Sequence, residues 1–508
     1  MKNKKNGFTL IELLAVIIVL AIIALIATPI IFNVIENAKI KSLENSCYGV
    51  IDAVRTKYAE GLLNLNKITN GNVNELTVSG EKPIDGTWTI DNSKDSEQRG
   101  IKINNVRFSS MKDYACSNDL ETGKVSCKKT YKDNSSANTP ILFKNMVPIK
   151  YENNKWIIAD LGQKWYDYDA KEWANAVVLN SGVTKNVGDE VTEEEISLWY
   201  VWIPRYKYTI FNGNNGSAAA QLINVTFESG VSRTGTVTCS DNADGSETCS
   251  TITNGTSTYT HPAFKFGNTE LTGFWVGKFE VSGSTSAITV KPNVTSLRNQ
   301  TVSSFFTAIQ NVKTTYGINN ADSHMMKNME WGAVAYLKQS KYGLGTTDIA
   351  VNTNSSYYTG GGTSDAYKTN VAQSTTGNIY GVYDMSGGAW EYVMGNMKNS
   401  SNAFYSSNAG FTTAPDAKYY DSYKYDSSSN TTHARGKLGD ATKETLATFG
   451  SNTGGWYSDY ANFPYSIYPW FIRGGYYGHG TSAGVFSFSY GYGVDNDDTS
   501  SARAVLSA

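Results

Sequence analysis

The residue types best suited to chemistry in this 508-residue chain are its five cysteines and four histidines. The histidines lie far apart, and none belongs to the His-Glu-x-x-His pattern that binds a catalytic zinc. The sequence also contains no nucleophile elbow and no glycine-rich loop that would bind phosphate. These motifs therefore give no support for a zinc hydrolase, a serine hydrolase or a nucleotide-binding enzyme.

Four of the cysteines form two local pairs, each enclosing a loop of roughly ten residues. Neither pair has the spacing of a zinc site, so we expect two short-range disulfides formed in an oxidising compartment. Reduced, half-buried thiols are the alternative. The pairs are Cys116 with Cys127 and Cys239 with Cys249. Cys47 is left over and is expected to be a free thiol on a helix.

Two acidic features could bind a cation. The run "DNDD" at 495–498 alternates acidic oxygens but lacks the glycine and the distal glutamate of a calcium loop, which favours a solvated loop. Glu391 follows the tight turn expected at Gly387 and Gly388, where it could neutralise a buried or metal-bound site. As a single acidic residue, it is interpreted as a structural hydrogen-bonding group.

The overall composition narrows the class of protein. A net charge of -2 argues against a nucleic-acid partner. Tyrosine (33) and glycine (46) are abundant and proline (10) is scarce, while short strand-like runs alternate with Asn, Asp, Gly and Ser clusters. The sequence therefore predicts several β-rich domains that carry long loops.

A long helix is predicted at the N-terminus. Lysines precede a mostly apolar stretch from Phe8 to Phe32, whose roughly 25 residues would span about 37 Å as a helix, enough to cross a bilayer. The length of this stretch, and Glu12 within it, do not suit a generic secretory signal peptide. After Phe32 the helix becomes amphipathic and should end near Gly61. Its apolar residues, interleaved with polar ones, are Ile35, Ala38, Leu43, Val50 and Val54.

This segment resembles the type IV prepilin signal and the pilin N-terminal helix. The resemblance rests on Gly7 before Phe8, on Glu12 as the fifth residue after that junction, and on Pro29 as the twenty-second. It implies that a prepilin peptidase cleaves between Gly7 and Phe8 and methylates the new amine. It also implies that Glu12 pairs with the Phe8 amine of a neighbouring pilin and that Pro29 kinks or locally melts the helix. A plain single-pass anchor is the alternative.

The middle of the chain is interpreted as three pieces. Residues 62–132 contain short strands and a hairpin with Cys116 and Cys127, typical of a small pilin β head. The polar and proline-containing run "DNSSANTP" at 133–140 indicates a linker, which is bounded at 133–143. Tryptophan and tyrosine recur in 144–195, which predicts a small antiparallel module with an aromatic face. These rings are expected to pack in a core or between domains, with glycan stacking as the alternative.

An ordered series of motifs follows in the last 300 or so residues. They are "GFWVGKFEVSG" at 273–283, "HMMKNMEWGAVAYL" at 324–337, "GNIYGVYDMSGGAWEYVMGN" at 377–396, "WFIRGGYYGHG" at 470–480 and "SARAVLS" at 501–507. The series resembles the formylglycine-generating-enzyme family, which implies a C-type-lectin-like fold with irregular loops. The predicted fold class is therefore α+β, with these boundaries: leader 1–7, pilin helix 8–61, β head 62–132, linker 133–143, aromatic module 144–195 and C-type-lectin-like ligand-binding domain 196–508.

This resemblance implies a fold more securely than a reaction. The oxidases of the family bind copper through a cysteine pair near the C-terminus, and this chain has no cysteine after Cys249. We therefore predict that it is not an enzyme of that type. Family members bind calcium at a turn where this sequence has Gly388 and Ala389. No cofactor is predicted, and Asp384 and Glu391 are the weak candidates for calcium as the alternative.

The same fold has a binding role in the variable proteins of diversity-generating retroelements. Adenine randomisation in those systems does not produce Lys, Glu, Gln, Met or Trp, and residues 476–500 contain none of the five. Their composition also matches that of recognition loops, although an ordinary Gly/Ser-rich loop is the alternative. We expect core strands at 473–475 and 503–506 to present this segment as an exposed face. The predicted ligand contacts are Tyr476, Tyr477, His479, Tyr490, Tyr492, Asp495, Asn496 and Asp497.

Together these features predict a minor or tip pilin, or adhesin, that starts as a precursor in the cytoplasmic membrane and ends at the bacterial cell surface or pilus. Its expected partners are prepilin peptidase, other pilins and an unknown protein or glycan ligand. An enzyme of the formylglycine-generating type is one alternative. A structural pilus or pseudopilus subunit is another, which is disfavoured because so large a head would crowd a repeating filament.

Overall fold

The computed structural model describes residues 10–63, 68–90, 100–214, 216–318, 320–428 and 435–508. Within the N-terminal helix, only the backbone of residues 10–13, 20–30, 32 and 33 is described. The chain divides into two compact units. The first comprises the described residues up to Ile68 together with Val73–Lys128, and the second comprises Thr69–Asn72 and the described part of Lys129–Ala508.

The protein is of the α+β class, with one long helix followed mainly by strands. The α-helices are α1 Leu10–Leu63, α2 Val302–Gln310, α3 Val312–Thr315, α4 Asn328–Lys338 and α5 Ala366–Thr369. The first eight strands, in chain order, are β1 Asn70–Asn72, β2 Pro83–Ile90, β3 Ile101–Phe108, β4 Tyr114–Asn118, β5 Val125–Lys129, β6 Met146–Glu152, β7 Lys155–Ile158 and β8 Asn175–Leu179.

The remaining strands, in chain order, are β9 Ile196–Pro204, β10 Tyr206–Thr209, β11 Val225–Phe227, β12 Cys239–Asp241, β13 Glu247–Cys249, β14 Thr258–Thr260, β15 Lys265–Phe266, β16 Thr269–Glu270, β17 Gly273–Gly277, β18 Ser282–Ser284, β19 Ala287–Thr289, β20 Asp322–Met325, β21 Trp390–Met397, β22 Asp421–Tyr423, β23 Trp470–Gly474, β24 Gly484–Gly491, β25 Ser500–Ala502 and β26 Ala504–Ser507.

Helix α1 is the main element of the first unit. Its C-terminal half buries a stripe of apolar residues at helical spacing, including Leu43, Val50 and Val54, in a core shared with the neighbouring strands. The helix ends at Leu63, close to the predicted end, and it continues through Pro29, where a kink or local melting was predicted. Local melting at Pro29 is not found, because the loss of one hydrogen bond does not by itself end a helix, and the kink stays a prediction.

The structure bears on the predicted membrane segment in one respect. Over the described part of the chain, no helix combines the length and the apolar character that crossing a membrane requires. The membrane span over residues 8–32 stays a prediction. Many of the side chains in that segment, and Phe8 itself, lie outside the described residues.

Strands β2 to β5 form an antiparallel sheet beside the C-terminal half of α1. Strand β3 pairs with β2 along most of its length and with β4 on its other side. A disulfide joins Cys116 in β4 to Cys127 in β5. The disulfide predicted between Cys116 and Cys127 is therefore present and joins two neighbouring strands.

The second unit contains a seven-stranded sheet in the order β20-β26-β17-β9-β8-β6-β7. Strands β6, β7 and β8 come from the segment 144–195, and β8 pairs directly with β9 from the next predicted domain. The segment is therefore part of the larger unit, because its backbone completes the same sheet and its rings enter the same core. Five of the recurring aromatic residues in this segment are buried: Trp156, Trp165, Tyr166, Tyr168 and Trp173.

The predicted linker is also part of this unit. Ala137 and Asn138 are buried, and the Asn138 amide donates hydrogen bonds to the carbonyls of Glu228, Gly230 and Thr272. The Asn138 amide therefore satisfies buried backbone groups, as polar side chains in a protein interior must. The polar composition of the segment suggested a solvated linker. Composition does not show that the Asn138 amide bonds to backbone carbonyls elsewhere in the chain.

A second sheet of this unit positions the candidate site. Its strands run in the order β22-β21-β23-β24, and β25 pairs in parallel with β21. Strands β23 and β24 are antiparallel, with Trp470 opposite Gly491 and Phe471 opposite Tyr490. The end of β24 and the start of β23 are therefore neighbours.

Candidate ligand-binding site

A cavity of about 650 Å³ lies where β23 and β24 meet the loop that precedes β25. It contains five of the eight predicted ligand contacts, namely Tyr490, Tyr492, Asp495, Asn496 and Asp497. Its volume falls in the range of pockets that take small ligands or side chains. The rest of the lining comes from Asn299, Tyr392, Tyr468, Ile472, Gly491 and Asp498.

The floor of the cavity depends on a close contact at Gly491. A Cβ atom at this position would lie 2.4 Å from Cε1 of Tyr392 and 2.8 Å from Cγ2 of Ile472, so glycine is required here. Tyr392 is itself buried in β21, and its hydroxyl donates a hydrogen bond to the Tyr492 carbonyl at 2.9 Å. The tyrosine thereby connects β21 to the start of the acidic loop.

One wall of the cavity is a cluster of half-buried tyrosines. The ring of Tyr468 lies 5.0 Å from that of Tyr490 and 5.3 Å from that of Tyr492. Tyr465 supports both Tyr468 and Tyr490, at 5.4 Å and 5.0 Å. Because inclined aromatic pairs attract each other through their quadrupoles, the rings keep one another in place and remain partly exposed.

The opposite side is the acidic loop 495–498. Asp495, Asn496 and Asp498 are exposed. Asp497 is turned inward: its carboxylate accepts hydrogen bonds of 2.8 Å from the Thr499 backbone N–H, the Thr499 hydroxyl and the Ser500 hydroxyl. Asp497 therefore shapes the loop, while the exposed members of the run remain accessible to a ligand.

Tyr476, Tyr477 and His479 lie outside the cavity, at and within the short 3₁₀ turn that follows β23. The His479 ring lies 5.0 Å from Trp390 and 4.2 Å from Tyr476, and partial burial lowers its pKa. Its Nδ1 accepts a hydrogen bond from the Tyr476 backbone N–H. His479 therefore supports the turn, and the two tyrosines are its partly exposed surface.

A chain of contacts connects these two groups. The Tyr477 ring lies 4.9 Å from the Tyr357 ring. The Arg298 guanidinium lies 3.8 Å from the centre of the same Tyr357 ring. Arg298 also donates a hydrogen bond to the backbone carbonyl of Asp498 in the acidic loop. The predicted residues thus belong to one continuous region of the second unit.

The segment 476–500 is not exposed as a whole. Val485, Phe486 and Phe488 in β24 are fully buried. The prediction of one exposed face between two core strands is therefore wrong for the middle of the segment, since β24 is itself a core strand that pairs with β23. The flanking strands, β23 and β26, are buried as predicted.

Several residues of the region were absent from the prediction. Tyr465 and Tyr468 carry a weak local signal, because they are tyrosines in the run "FPYSIYPW" beside a predicted strand. Asp498 belongs to the acidic run that was interpreted as a solvated loop. Asn299 and Tyr392 carry no such signal, because only the tertiary structure brings them to the loop.

The two weak calcium candidates are buried and already have partners. Glu391 accepts hydrogen bonds from the Arg503 guanidinium on both oxygens, one of them 2.9 Å from Nε. Asp384 accepts hydrogen bonds from the Gly360 N–H at 2.9 Å and the Asn352 amide at 3.0 Å. Burial outweighs the guanidinium and raises the pKa of Glu391 to about 7. Arg503 therefore lies where a cation bound to Glu391 would have to be.

The cysteines follow the predicted pattern. Disulfides join Cys116 to Cys127 and Cys239 to Cys249. Cys47 is a buried free thiol on α1, and burial raises its pKa to about 12. The groups of three potential metal ligands in the described part of the chain all contain the sulfurs of a disulfide. Since disulfide sulfurs are poor metal ligands, these groups indicate no metal site.

The N-terminal predictions fall mostly outside the described structure. Gly7 and Phe8 lie outside the described residues, and for Glu12 only the helical backbone is described. The sequence comparisons address this region instead. A family described as "Prokaryotic N-terminal methylation motif" matches residues 2–28. Prepilin peptidase-dependent protein A of Clostridium perfringens (strain 13 / Type A) is 32% identical over 116 residues, which are 21% of this chain and 83% of the relative.

Two solved structures show a distant likeness. The Major Tropism Determinant I1 variant is 13% identical, with 85% of this chain and 82% of that chain covered and a TM-score of 0.26. The U1 variant of the same protein is 12% identical, with the same coverage and a TM-score of 0.23. TM-scores of this size do not establish a shared fold.

Proposed function

This chain belongs to the family of prepilin peptidase-dependent proteins, and from that premise we propose that it is a pilin-like cell-surface protein whose second unit binds a protein or glycan ligand. The methylation motif and the family relative support the first part of the proposal. The second part depends on one observation, the tyrosine-lined cavity beside the acidic loop. A C-type-lectin-like fold of the second unit is part of the same proposal, supported by the order of its sequence motifs.

The N-terminal steps of the proposal follow from the prepilin resemblance. A prepilin peptidase cleaves between Gly7 and Phe8, and the Glu12 carboxylate pairs with the Phe8 amine of a neighbouring pilin. The pair compensates the cost of a carboxylate in an apolar helix. The precursor lies in the cytoplasmic membrane, and the processed protein reaches the cell surface or a pilus.

We place the protein among minor or tip pilins rather than shaft subunits. The second unit extends over Lys129–Ala508, several times the length of the first unit's β head. Such a unit is more easily accommodated once at a tip than at every position of a repeating filament. Immunogold labelling of assembled filaments tests this point, and labelling along their whole length would contradict it.

The binding function is tested with the full-length protein in detergent on arrays of purified bacterial-surface proteins, host proteins and glycans. Tyr490→Ala removes a ring from the cavity wall, while Tyr425→Ala removes an exposed tyrosine that is not part of the lining. We expect a ligand whose signal is lost with Tyr490→Ala and kept with Tyr425→Ala. The proposal fails if no array ligand depends on the cavity while both variants keep the wild-type melting temperature.

We further propose that a diversity-generating retroelement varies the codons of the exposed residues within 476–500. The residue types found there support this proposal. A near-copy of the region beside a reverse-transcriptase gene, differing at adenines, is the expected genomic signature. Because Phe486 and Phe488 are buried, their codons should be the same in copy and gene. A genome without any such repeat would contradict the idea.

A further inference from the structure

We propose that the cavity recognises a cationic side chain, the ammonium of a lysine or the guanidinium of an arginine, presented by a basic protein partner. The inference rests on the proposed binding function and defines the ligand's chemistry more narrowly. It follows from the charges, the aromatic wall and a contact of Arg298 that resembles the proposed recognition.

The charges of the cavity are one-sided. Three carboxylates, those of Asp495, Asp497 and Asp498, belong to the lining, whereas no lysine, arginine or histidine does. Throughout the described residues, no lysine or arginine forms a salt bridge with these three groups. The hydroxyl and backbone donors on Asp497 are neutral, so its negative charge is retained. Charges of one sign in a concave surface concentrate the field there and attract the opposite charge.

The aromatic wall has the same preference. The quadrupole of a tyrosine ring makes the ring face negative, so the face attracts cations. The attraction is worth about 0.5–2 kcal/mol, depending on how far the cation is desolvated. The centre of the Tyr468 ring lies within 5.3 Å of the centres of the Tyr490 and Tyr492 rings, so the three rings are held in place before a ligand binds. All three are only half-buried and remain accessible. A wall that is already ordered reduces the entropy lost on binding.

Arg298 shows that a guanidinium is accommodated by a tyrosine ring next to the acidic loop. It lies 3.8 Å from the centre of the Tyr357 ring and donates a hydrogen bond to the Asp498 backbone carbonyl. Its single positive charge does not balance three carboxylates, and it is not part of the cavity lining. A second cation can therefore bind in the cavity, which is lined by both the carboxylates and the tyrosines.

An anionic ligand is disfavoured by the same charges, because it would be repelled by all three carboxylates. A neutral sugar could stack on the tyrosines, but its binding would not depend on the charge of Asp495 or Asp498. Charge dependence therefore separates the cationic partner from a neutral glycan.

The test uses the full-length protein in detergent and three fluorescein-labelled peptides in polarisation titrations. One alternates glycine with arginine, one replaces each arginine by the neutral isostere citrulline, and one alternates glycine with glutamate. We expect the arginine peptide to bind roughly tenfold or more tightly than the citrulline peptide, and its affinity to fall as salt is raised from about 50 to 300 mM. The glutamate peptide should not bind.

The double variant Asp495→Asn with Asp498→Asn removes two charges from exposed side chains and keeps their size. It should weaken arginine-peptide binding roughly tenfold, while Asp113→Asn, an exposed aspartate of the first unit, should leave it unchanged. Equal binding of the arginine and citrulline peptides, or no binding of the arginine peptide, overturns the cationic proposal.

The two proposals fail in different ways. If an array ligand is lost with Tyr490→Ala and kept with the Asp495→Asn and Asp498→Asn double variant, the binding function stands and the cationic class is wrong. If no ligand depends on Tyr490, the binding function itself is wrong. Melting temperatures close to wild type for all variants establish that these outcomes report on binding.

Discussion

At the scale of single residues, Lys278 is unusual because its side chain is fully buried. Its ammonium donates hydrogen bonds to the Asn175 side-chain oxygen at 3.0 Å and to the carbonyls of Ile379 and Gly381 at 2.6 and 2.9 Å. Burial lowers the pKa of Lys278 well below its usual range. Because it makes these three hydrogen bonds, the role of Lys278 is to satisfy buried acceptors from separate segments.

Replacing Lys278 with methionine should destabilise the protein, because the shape is roughly kept while the three acceptors lose their donor. We expect a loss of about 2–4 kcal/mol of unfolding free energy. Denaturant unfolding followed by tryptophan fluorescence measures it. The matched control is Lys341→Met at an exposed lysine, which should change stability by less than about 0.5 kcal/mol. A similar stability for both variants would contradict the assigned role.

His324 gives a prediction for pH dependence. Its ring nitrogens lie 3.2 Å from an Asp322 oxygen and 2.9 Å from a Glu330 oxygen, and Lys418 reaches the other Asp322 oxygen at 3.2 Å. Burial alone would lower the pKa of His324, but the two carboxylates outweigh it and raise the pKa to about 9. The folded protein therefore keeps a proton on His324 that the unfolded chain loses near pH 6.5.

Because the folded-state pKa is the higher one, this stabilisation is fully present below about pH 6.5 and is lost as the pH rises through about 9. We expect the difference in unfolding free energy between wild type and His324→Gln to shrink by about 1–3 kcal/mol from pH 6 to pH 9.5. Urea titrations at several pH values measure this difference, in which other titrating groups cancel. A pH-independent difference would show that His324 is neutral in the fold.

At the scale of elements, β24 combines two roles within eight residues. Its first part, including Phe486 and Phe488, is core, while its last residues, Tyr490 and Gly491, form the wall and floor of the cavity. Pairing with β23 fixes which residue reaches the cavity, since a shift of one position would reverse the side-chain directions. The position of the site is therefore as stable as the sheet register.

Gly491→Ala should disturb the cavity floor, because the added Cβ would overlap the Tyr392 ring at 2.4 Å. We expect a loss of about 1–3 kcal/mol in unfolding free energy, together with weaker binding of any ligand that depends on Tyr490. Thermal unfolding measures the first effect. The control is Gly49→Ala in α1, where the nearest atom is 3.5 Å away and alanine favours the helix. Unchanged stability of Gly491→Ala would mean that the floor can move without cost.

At the scale of the whole molecule, the chain joins an N-terminal methylation motif at residues 2–28 to a second unit that is more than twice as long as the first unit. The match to the prepilin peptidase-dependent relative extends over 116 residues, which are 21% of the chain. The proposed binding function depends on the second unit's own cavity, whereas the proposed export and processing depend on the N-terminal motif.

Coexpression with a prepilin peptidase should yield a protein that begins with N-methylated Phe8. Intact-mass and N-terminal peptide mass spectrometry measure the loss of the first seven residues and the added methyl group. A Gly7→Leu variant should remain uncleaved, because a large side chain would replace the small residue at the cleavage junction. Glu12→Gln should be cleaved normally but be depleted from filaments. Normal incorporation of Glu12→Gln would contradict the proposed pairing with the Phe8 amine.

The sequence by itself determined those features that depend on neighbouring residues. The spacing of Leu43, Val50 and Val54 predicted the packed half of α1, and short separations predicted both disulfides, since local periodicity and short loops restrict the possible contacts. Residue types alone also singled out the tyrosines and aspartates of the C-terminal segment, whose contacts with a ligand stay a prediction.

The tertiary structure alone decided how distant segments meet. It placed strands of 144–195 in the same sheet as β9 and buried part of the predicted linker, because strand partners and hydrogen-bond acceptors came from elsewhere in the chain. It also separated the buried β24 from the exposed ends of its segment and brought Asn299 and Tyr392 to the acidic loop. Burial and cavities arise from long-range packing, which residue types in one segment do not encode.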